Sequence, residues 1–302
     1  MAVTSGVIVL GSTGMLGQAL LREAALRRIP CTGFARGAAP GHAVDLTDDL
    51  ALARALRQAH DAAPGQVIVN AAALTDLEAC ERDPLRASAI NTRLPGALAA
   101  ECQRSGRTLV HISTDHYHTG RINRLHDEAC EVELLNHYAR SKFAGEARAA
   151  ECSSSLVVRT NIVGLRGWPG RPTFVEWALD ALRQGRPFTA FEDVYTSSID
   201  VGQFSVALFD LIEQRATGLL NLAAREAVSK ATFIRSLAHA LGLDHRHGQS
   251  GPHAARPGVP RANTLGLDVR RAEALLQRRL PDHAAVVAAL ALKLQGVAHA
   301  SP

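Results

Sequence analysis

Aromatic residues are scarce in this chain: 8 Phe, 3 Tyr and 2 Trp in 302 residues. Single-stranded nucleic acid is bound on aromatic stacking platforms, so the shortage argues against such a partner. No stretch reaches the ~18 uncharged apolar residues of a membrane helix, which argues against a membrane partner. The five cysteines (Cys31, Cys80, Cys102, Cys130, Cys152) form no Cys-x-x-Cys pair. Their odd number and wide spacing suit reduced thiols and a cytoplasmic location. The apolar run near the N-terminus is broken by Gly11, Gly14 and Gly17 and lacks a charged leader, unlike a signal peptide. Basic residues exceed acidic ones by only 33 to 29, and nearly all are scattered arginines. That spread describes a solvated surface with local attraction for anionic ligands, not a nucleic-acid footprint.

What is present is a globular composition, 47% hydrophobic and 21% charged, in a chain long enough for about two domains. In the first half, short apolar runs alternate with helical stretches. Strands are expected near 7–10, 31–35, 43–44, 67–69, 109–112 and 155–159. Helices are expected up to about Arg28 and over 48–60, 91–105 and 136–151. Alternation of this kind predicts βαβ units: an α/β fold with a Rossmann-type, doubly wound parallel sheet. Beyond Thr160 the pattern changes. Gly164–Pro172 reads as a loop, 174–184 as a helix and 187–191 as a strand. A helix over 200–213 and a strand over 218–222 are expected to return to the first sheet, and Ser229 to cap a further helix ending near Gly242. His245–Pro260 reads as a mobile loop. The division expected is 1–160 with 196–222 as a dinucleotide-binding domain, and 161–195 with 223–302 as a smaller substrate-binding domain.

Two groups of residues carry chemistry. Gly11, Gly14 and Gly17, with Thr13, Met15 and Leu16 between them, join the first strand to the first helix. Glycines at this junction permit a tight turn, approach of the backbone to a pyrophosphate and close helix packing, and the helix N-terminus attracts phosphate. After the second strand an acidic residue would favour NAD; Arg36 stands there instead, suited to a 2′-phosphate. NADPH is therefore the expected cofactor, with NADH as the alternative. Downstream, Tyr138 and Lys142 are four residues apart, about one helical turn, on one face. A lysine and an oxidised nicotinamide nearby are expected to lower the tyrosine pKa. Thr114 follows a strand end, where ligands of open parallel sheets bind, and can bond a substrate carbonyl. Asn70-Ala71-Ala72-Ala73 ends another strand, with small residues that leave room for a cofactor.

These residues resemble the extended short-chain dehydrogenase/reductase superfamily, and within it the dTDP-4-dehydrorhamnose reductase family. The glycine turn, Asp45-Leu46, Asn70–Ala73, Thr75, Glu81, Ile90-Asn91, Ser113-Thr114-Asp115, Asn136, Tyr138 and Lys142 with Ala144-Gly145-Glu146 match family features. So do Arg159-Thr160 and the run Pro260-Arg261-Ala262-Asn263-Thr264 with Leu267-Asp268. The resemblance implies NAD(P)H-dependent reduction of the C4 ketone of a nucleotide-activated 4-keto-6-deoxy sugar. Thr114 would polarise that ketone, Tyr138 donate the proton, and Lys142 tune Tyr138 and hold the ribose. Asp45 would contact adenine, although either Asp45 or Asp48 can serve the following helix as its N-terminal acid. Leu46, Asn70–Ala73 and Asn91 would complete the cofactor site. Thr75, Asp115, Asn161 and Arg261 would bind substrate, with Arg171 and Arg256 as further diphosphate candidates, and a homodimer is the family expectation.

Three departures lie on the substrate side: His116-Tyr117-His118 after Ser-Thr-Asp, Asn161–Gly164 after Arg-Thr, and Ser197-Ser198 before the late helix. They imply an altered sugar. His116 and His118 read as a remodelled pocket or an exposed strand end, and no metal site is expected, because two histidines at i and i+2 lack further ligands. The other readings are a sugar-nucleotide epimerase or epimerase/reductase holding NAD, a dehydratase (disfavoured by His116 where that class needs Glu), and a non-catalytic regulatory subunit like the one serving methionine adenosyltransferase.

Overall fold

A computed structural model describes residues 6–39, 42–62, 67–119, 124–168, 170–252 and 258–299. Four-residue strands, mainly apolar and buried along their whole length, make the centre of the sheet. They are β1 (Val7–Leu10) and β5 (Leu156–Arg159), with β3 (Val67–Asn70) and β4 (Thr108–Ile112) nearly as deep. With β2 (Cys31–Phe34) and β10 (Gly218–Asn221) they form one six-stranded sheet in the order β10-β5-β4-β3-β1-β2. Every pairing in it is parallel. Residues 43–44 do not form a strand; Ala43 makes only a single bridge to Ala35.

Helices cover both faces. On one side α1 (Met15–Leu26), α8 (Val201–Glu213) and α10 (Arg270–Leu276) bury Leu20, Phe204, Leu208 and Leu276 against the sheet. On the other, α2 (Asp49–Ala62), α5 (Leu94–Ser105) and α6 (His137–Ala149) bury Leu56, Leu98 and Ala149. Caps set the helix starts: Asn136 Oδ1 accepts from Ala139 N at 2.8 Å, and Asp48 Oδ1 accepts from Leu50 N and Ala51 N at 2.9 and 3.0 Å. Asp48 therefore serves α2, which leaves Asp45 free of that task.

Short elements fill the remainder. Helices α3 (Leu77–Arg82) and α4 (Pro84–Ser88) lead into a single π turn over Ala89–Arg93. Pro95 explains the turn: it has no N–H for the Asn91 carbonyl, four residues back. In the smaller region, α7 (Phe174–Arg183), α9 (Lys230–Ala240) and α11 (His283–His299) enclose a separate core around Val175, Phe233, Leu237 and Leu290. Its strands come in small sets. The pair β6 (Ile162–Val163) and β9 (Ile199–Asp200) is parallel. Strands β8 (Tyr195–Thr196), β11 (Val228–Ser229) and β13 (Thr264–Leu265) form a three-stranded sheet. Finally, β7 (Phe188–Phe191) pairs with β12 (Gly248–Gly251). The expected mobile loop over 245–260 is thus corrected in part: 248–251 pairs as a strand, while 253–257 lie outside the described residues. No helix among the described residues is long and apolar enough to cross a membrane.

Candidate active site

The order of the sheet reverses at β1, whose neighbours are β2 and β3. Ligands of open α/β sheets bind at such a point, beyond the carboxyl ends of the strands. A cleft of about 1880 Å³ opens there. Gly11, Thr13, Gly14, Met15, Leu16 and Gly17 line it together with Arg36, Asp45, Leu46, Ala71, Ala72, Ala73 and Thr75. Gly11 has φ +84°, and a Cβ on it would lie 2.9 Å from Ala72 Cα. A Cβ on Gly17 would overlap the Gly11 carbonyl. The turn is therefore as tight as a phosphate cradle needs, and the residues present fit a dinucleotide. Asp45 is oriented by Thr47, whose N and Oγ1 donate to it at 2.9 and 2.7 Å. These bonds, with Arg36 adding less, hold its carboxyl below the usual range.

Two residues expected at the cofactor lie behind the cleft wall, fully buried. Asn70 bonds His111 Nδ1 at 3.2 Å and accepts from Ala72 N at 3.2 Å. Asn91 accepts from Leu74 N at 2.9 Å and donates to Leu74 O and Ser141 Oγ, each at 3.0 Å. It clamps the segment after β3 to α6. The clamp closes because a Cβ on Gly145 would overlap the Asn91 carbonyl, so glycine lets α6 approach.

At the other end of the cleft Thr114, Asp115, His116, Tyr138, Lys142 and Asn161 come together. Lys142 is fully buried, and its Nζ donates to Ile112 O at 2.7 Å. Burial pushes it down to about 8, with Glu146 opposing. His111, an unforeseen member, places Nε2 3.5 Å from that ammonium. Burial first, then Lys142, hold its imidazole far below its usual value. Tyr138 is buried as well. Burial drives its phenol above the ordinary range, against the Thr114 hydroxyl, and Lys142 is not among the groups that move it.

Substrate-side residues form a chain of bonds. Asn161 Nδ2 donates to Asp115 Oδ2 at 2.7 Å, Ser198 Oγ donates to Asn161 Oδ1 at 2.7 Å, and Thr196 lies 2.9 Å from Ser198. Two of the sequence departures, Asn161 and Ser198, thus meet at one place. Burial raises Asp115 to about 7, opposed by Asn161 and by Lys230. Lys230 is pushed down to about 8 by burial and sits 4.1 Å over the Phe174 ring. Nothing in the sequence marks a lysine at the start of α9 as a neighbour of Asp115. Arg171 lines the cleft. Arg261 stands outside the lining, 3.8 Å from Glu78 Oε1; Arg256 lies outside the described residues. His118 is neither in the cleft nor exposed: it is buried and stacks on His126, with centroids 4.1 Å apart. Among the described residues no three His, Cys, Asp or Glu side chains gather as a metal site.

The parallel sheet and the glycine turn at its switch point define a Rossmann-type α/β protein with a dinucleotide-sized cleft. Comparison with known proteins narrows this. The family described as RmlD substrate binding domain matches residues 5–295. A dTDP-4-dehydrorhamnose reductase of Mycobacterium tuberculosis is 30% identical over 273 residues, covering 88% of this chain and 85% of that one. A probable low-salt glycan biosynthesis reductase of Haloferax volcanii is 28% identical over 244 residues, 78% and 80% of the two chains. Among solved structures, the dTDP-4-dehydrorhamnose reductase of Bacillus anthracis in complex with NADP superposes with TM-score 0.83 at 21% identity, covering 97% and 99%. The UDP-glucose 4-epimerase of Thermus thermophilus in complex with NAD gives 0.79 at 20%, covering 96% and 99%. The chain belongs to the RmlD, or dTDP-4-dehydrorhamnose reductase, family.

Proposed function

We propose that this protein is an NADPH-dependent reductase of a nucleotide-activated 4-keto-6-deoxy sugar. The observation that carries the reading is the convergence of Thr114, Tyr138 and a buried Lys142 at one end of a dinucleotide-sized cleft. Gly11, Thr13, Gly14, Met15, Leu16 and Gly17 would hold the pyrophosphate, Asp45 and Leu46 the adenine, Ala71–Ala73 the central part, and Lys142 the nicotinamide ribose. Arg36 would bind a 2′-phosphate, which favours NADPH over NADH. The dihydronicotinamide, when bound, supplies hydride to C4. Thr114 and Tyr138 orient the ketone oxygen, and Tyr138 gives that oxygen its proton. Lys142 sets the position of the ribose and offers positive charge as the phenolate forms.

Thr75, Asp115, Asn161 and Arg261 would bind the sugar nucleotide. In this reading residues 1–160 and 196–222 serve the cofactor, and 161–195 with 223–302 serve the substrate. The NADP and NAD complexes of the structural relatives support a nicotinamide cofactor. A Tyr138→Phe protein tests the chemistry. NADPH oxidation at 340 nm with a panel of nucleotide-linked 4-keto-6-deoxy sugars should fall about 10²–10⁴-fold in kcat. Turnover within threefold of the parent, or no panel member turned over by the parent, sinks the proposal.

A further inference from the structure

His116 has no part in the reduction above, yet it stands in the same cleft. Its ring meets Tyr138 edge-on, with centroids 5.6 Å apart and planes at 89°. Its backbone N–H donates to Thr114 Oγ1 at 3.3 Å. The imidazole is therefore fixed beside the two hydroxyls that would hold a ketone oxygen, not on top of them. The side chain is about a quarter exposed and forms part of the cleft wall. Its Nδ1 is buried without a hydrogen-bond partner, and its Nε2 lies 3.9 Å from Asp115 Oδ1. Burial pushes the ring down to about 4, with Lys230 and Arg261 adding to the effect. At neutral pH one ring nitrogen therefore keeps a bare lone pair.

A ketone seated on Thr114 and Tyr138 would turn a flanking carbon toward this ring. Protons on such carbons are acidified by the carbonyl. We infer that His116 removes and returns a proton at a carbon flanking the substrate ketone, so that the site exchanges that proton with solvent as well as reducing the ketone. The inference rests on the reductase reading. In the step, the imidazole nitrogen takes the proton and the C–H electron pair becomes the C=C bond of an enolate. The carbonyl π pair moves onto the oxygen, which Thr114 and Tyr138 stabilise. Reversal delivers a proton from the imidazolium to carbon, and nothing is oxidised or reduced. Asp115, ionised, would stabilise the imidazolium.

The test keeps the protein with oxidised NADP and a nucleotide-linked 4-keto-6-deoxy sugar in D2O, and reads deuterium at carbons 3 and 5 by NMR. Reduction of the same ketone by NADPH is followed in parallel. The expected result is enzyme-dependent deuterium at one of the two carbons, with H116N cutting exchange at least about tenfold more than it cuts reduction, within the usual range for loss of an acid–base group. Exchange that falls no further than reduction overturns the inference, since a merely structural histidine would lower both alike. Should H116N fail to fold, the parent protein decides alone: reduction without exchange above buffer overturns it. A parent that neither reduces nor exchanges overturns the reductase reading as well, whereas exchange without reduction overturns that reading only.

Discussion

Arg159 and Glu146 form an ion pair walled off from water: the Arg159 Nη2 donates to Oε2 at 2.8 Å, and its Nε spans both oxygens at 3.0 and 3.2 Å. Their side chains are 4% and 8% exposed. Ser113, next to Thr114, donates to the same carboxylate at 2.6 Å. The pair thus links β5 to α6 directly beneath the reactive residues. Removing one partner strands the other charge in low dielectric. Glu146→Ala should cost about 3–5 kcal/mol of stability, read as a lowered urea midpoint at pH 7. A loss below about 1 kcal/mol would show that water reaches Arg159 after all.

Arg36 governs cofactor choice in the proposed reading. Its replacement by alanine should raise KM for NADPH by about tenfold or more, equivalent to ~1.4 kcal/mol, and leave KM for NADH within threefold. Initial-rate measurements with both cofactors check this. Equal effects on the two would place Arg36 away from the 2′-phosphate.

Acid should weaken the fold through the His118–His126 stack. Burial holds His118 down at about 3, with His126, Arg159 and Arg124 adding to the effect, and lowers His126 too. In the unfolded chain a histidine takes its proton near pH 6.5. Between those values the unfolded state binds more protons, so stability is full above about 6.5 and drains as pH falls toward 3. Each unit in that window costs up to about 1.4 kcal/mol through His118. Asp115, raised to about 7, works the other way below neutrality, so the informative quantity is a difference. His118→Phe keeps a flat ring but cannot charge; its urea midpoint should lose less than the parent's between pH 7 and pH 4.5. Parallel losses would refute the account.

The cofactor half was legible because its determinants are local. A glycine turn between a buried strand and a helix admits few conformations, and alanines at a strand end leave the same gap wherever they occur. Polar residues at such ends were harder. Asn70 and Asn91 carry the right chemistry for a ligand, but which way they face depends on His111 behind one and on Pro95 and Gly145 around the other. The substrate side was legible only as a set of departures, because its contacts join distant segments. Lys230 reaches the surroundings of Asp115 from the second region, and His118 stacks on His126, eight positions further along. Residues 248–251 (Gly-Gln-Ser-Gly) have no strand-forming side chains of their own; pairing with β7 makes the strand.

Asn136 caps the helix of Tyr138 and Lys142 through its oxygen, while its Nδ2 donates to Pro260 O at 2.8 Å. In time rather than in space, this joins an early event to a late one. A chain still leaving the ribosome can build the central strands and fill the cap's oxygen side long before Pro260 has been made. The nitrogen side closes only when the C-terminal segment arrives, together with the Thr264 N–H bond to His118 O at 3.3 Å. The reactive helix therefore gains this tie only after the C-terminal segment arrives, and a product cut short before Pro260 would carry every reactive side chain but lack that one bond.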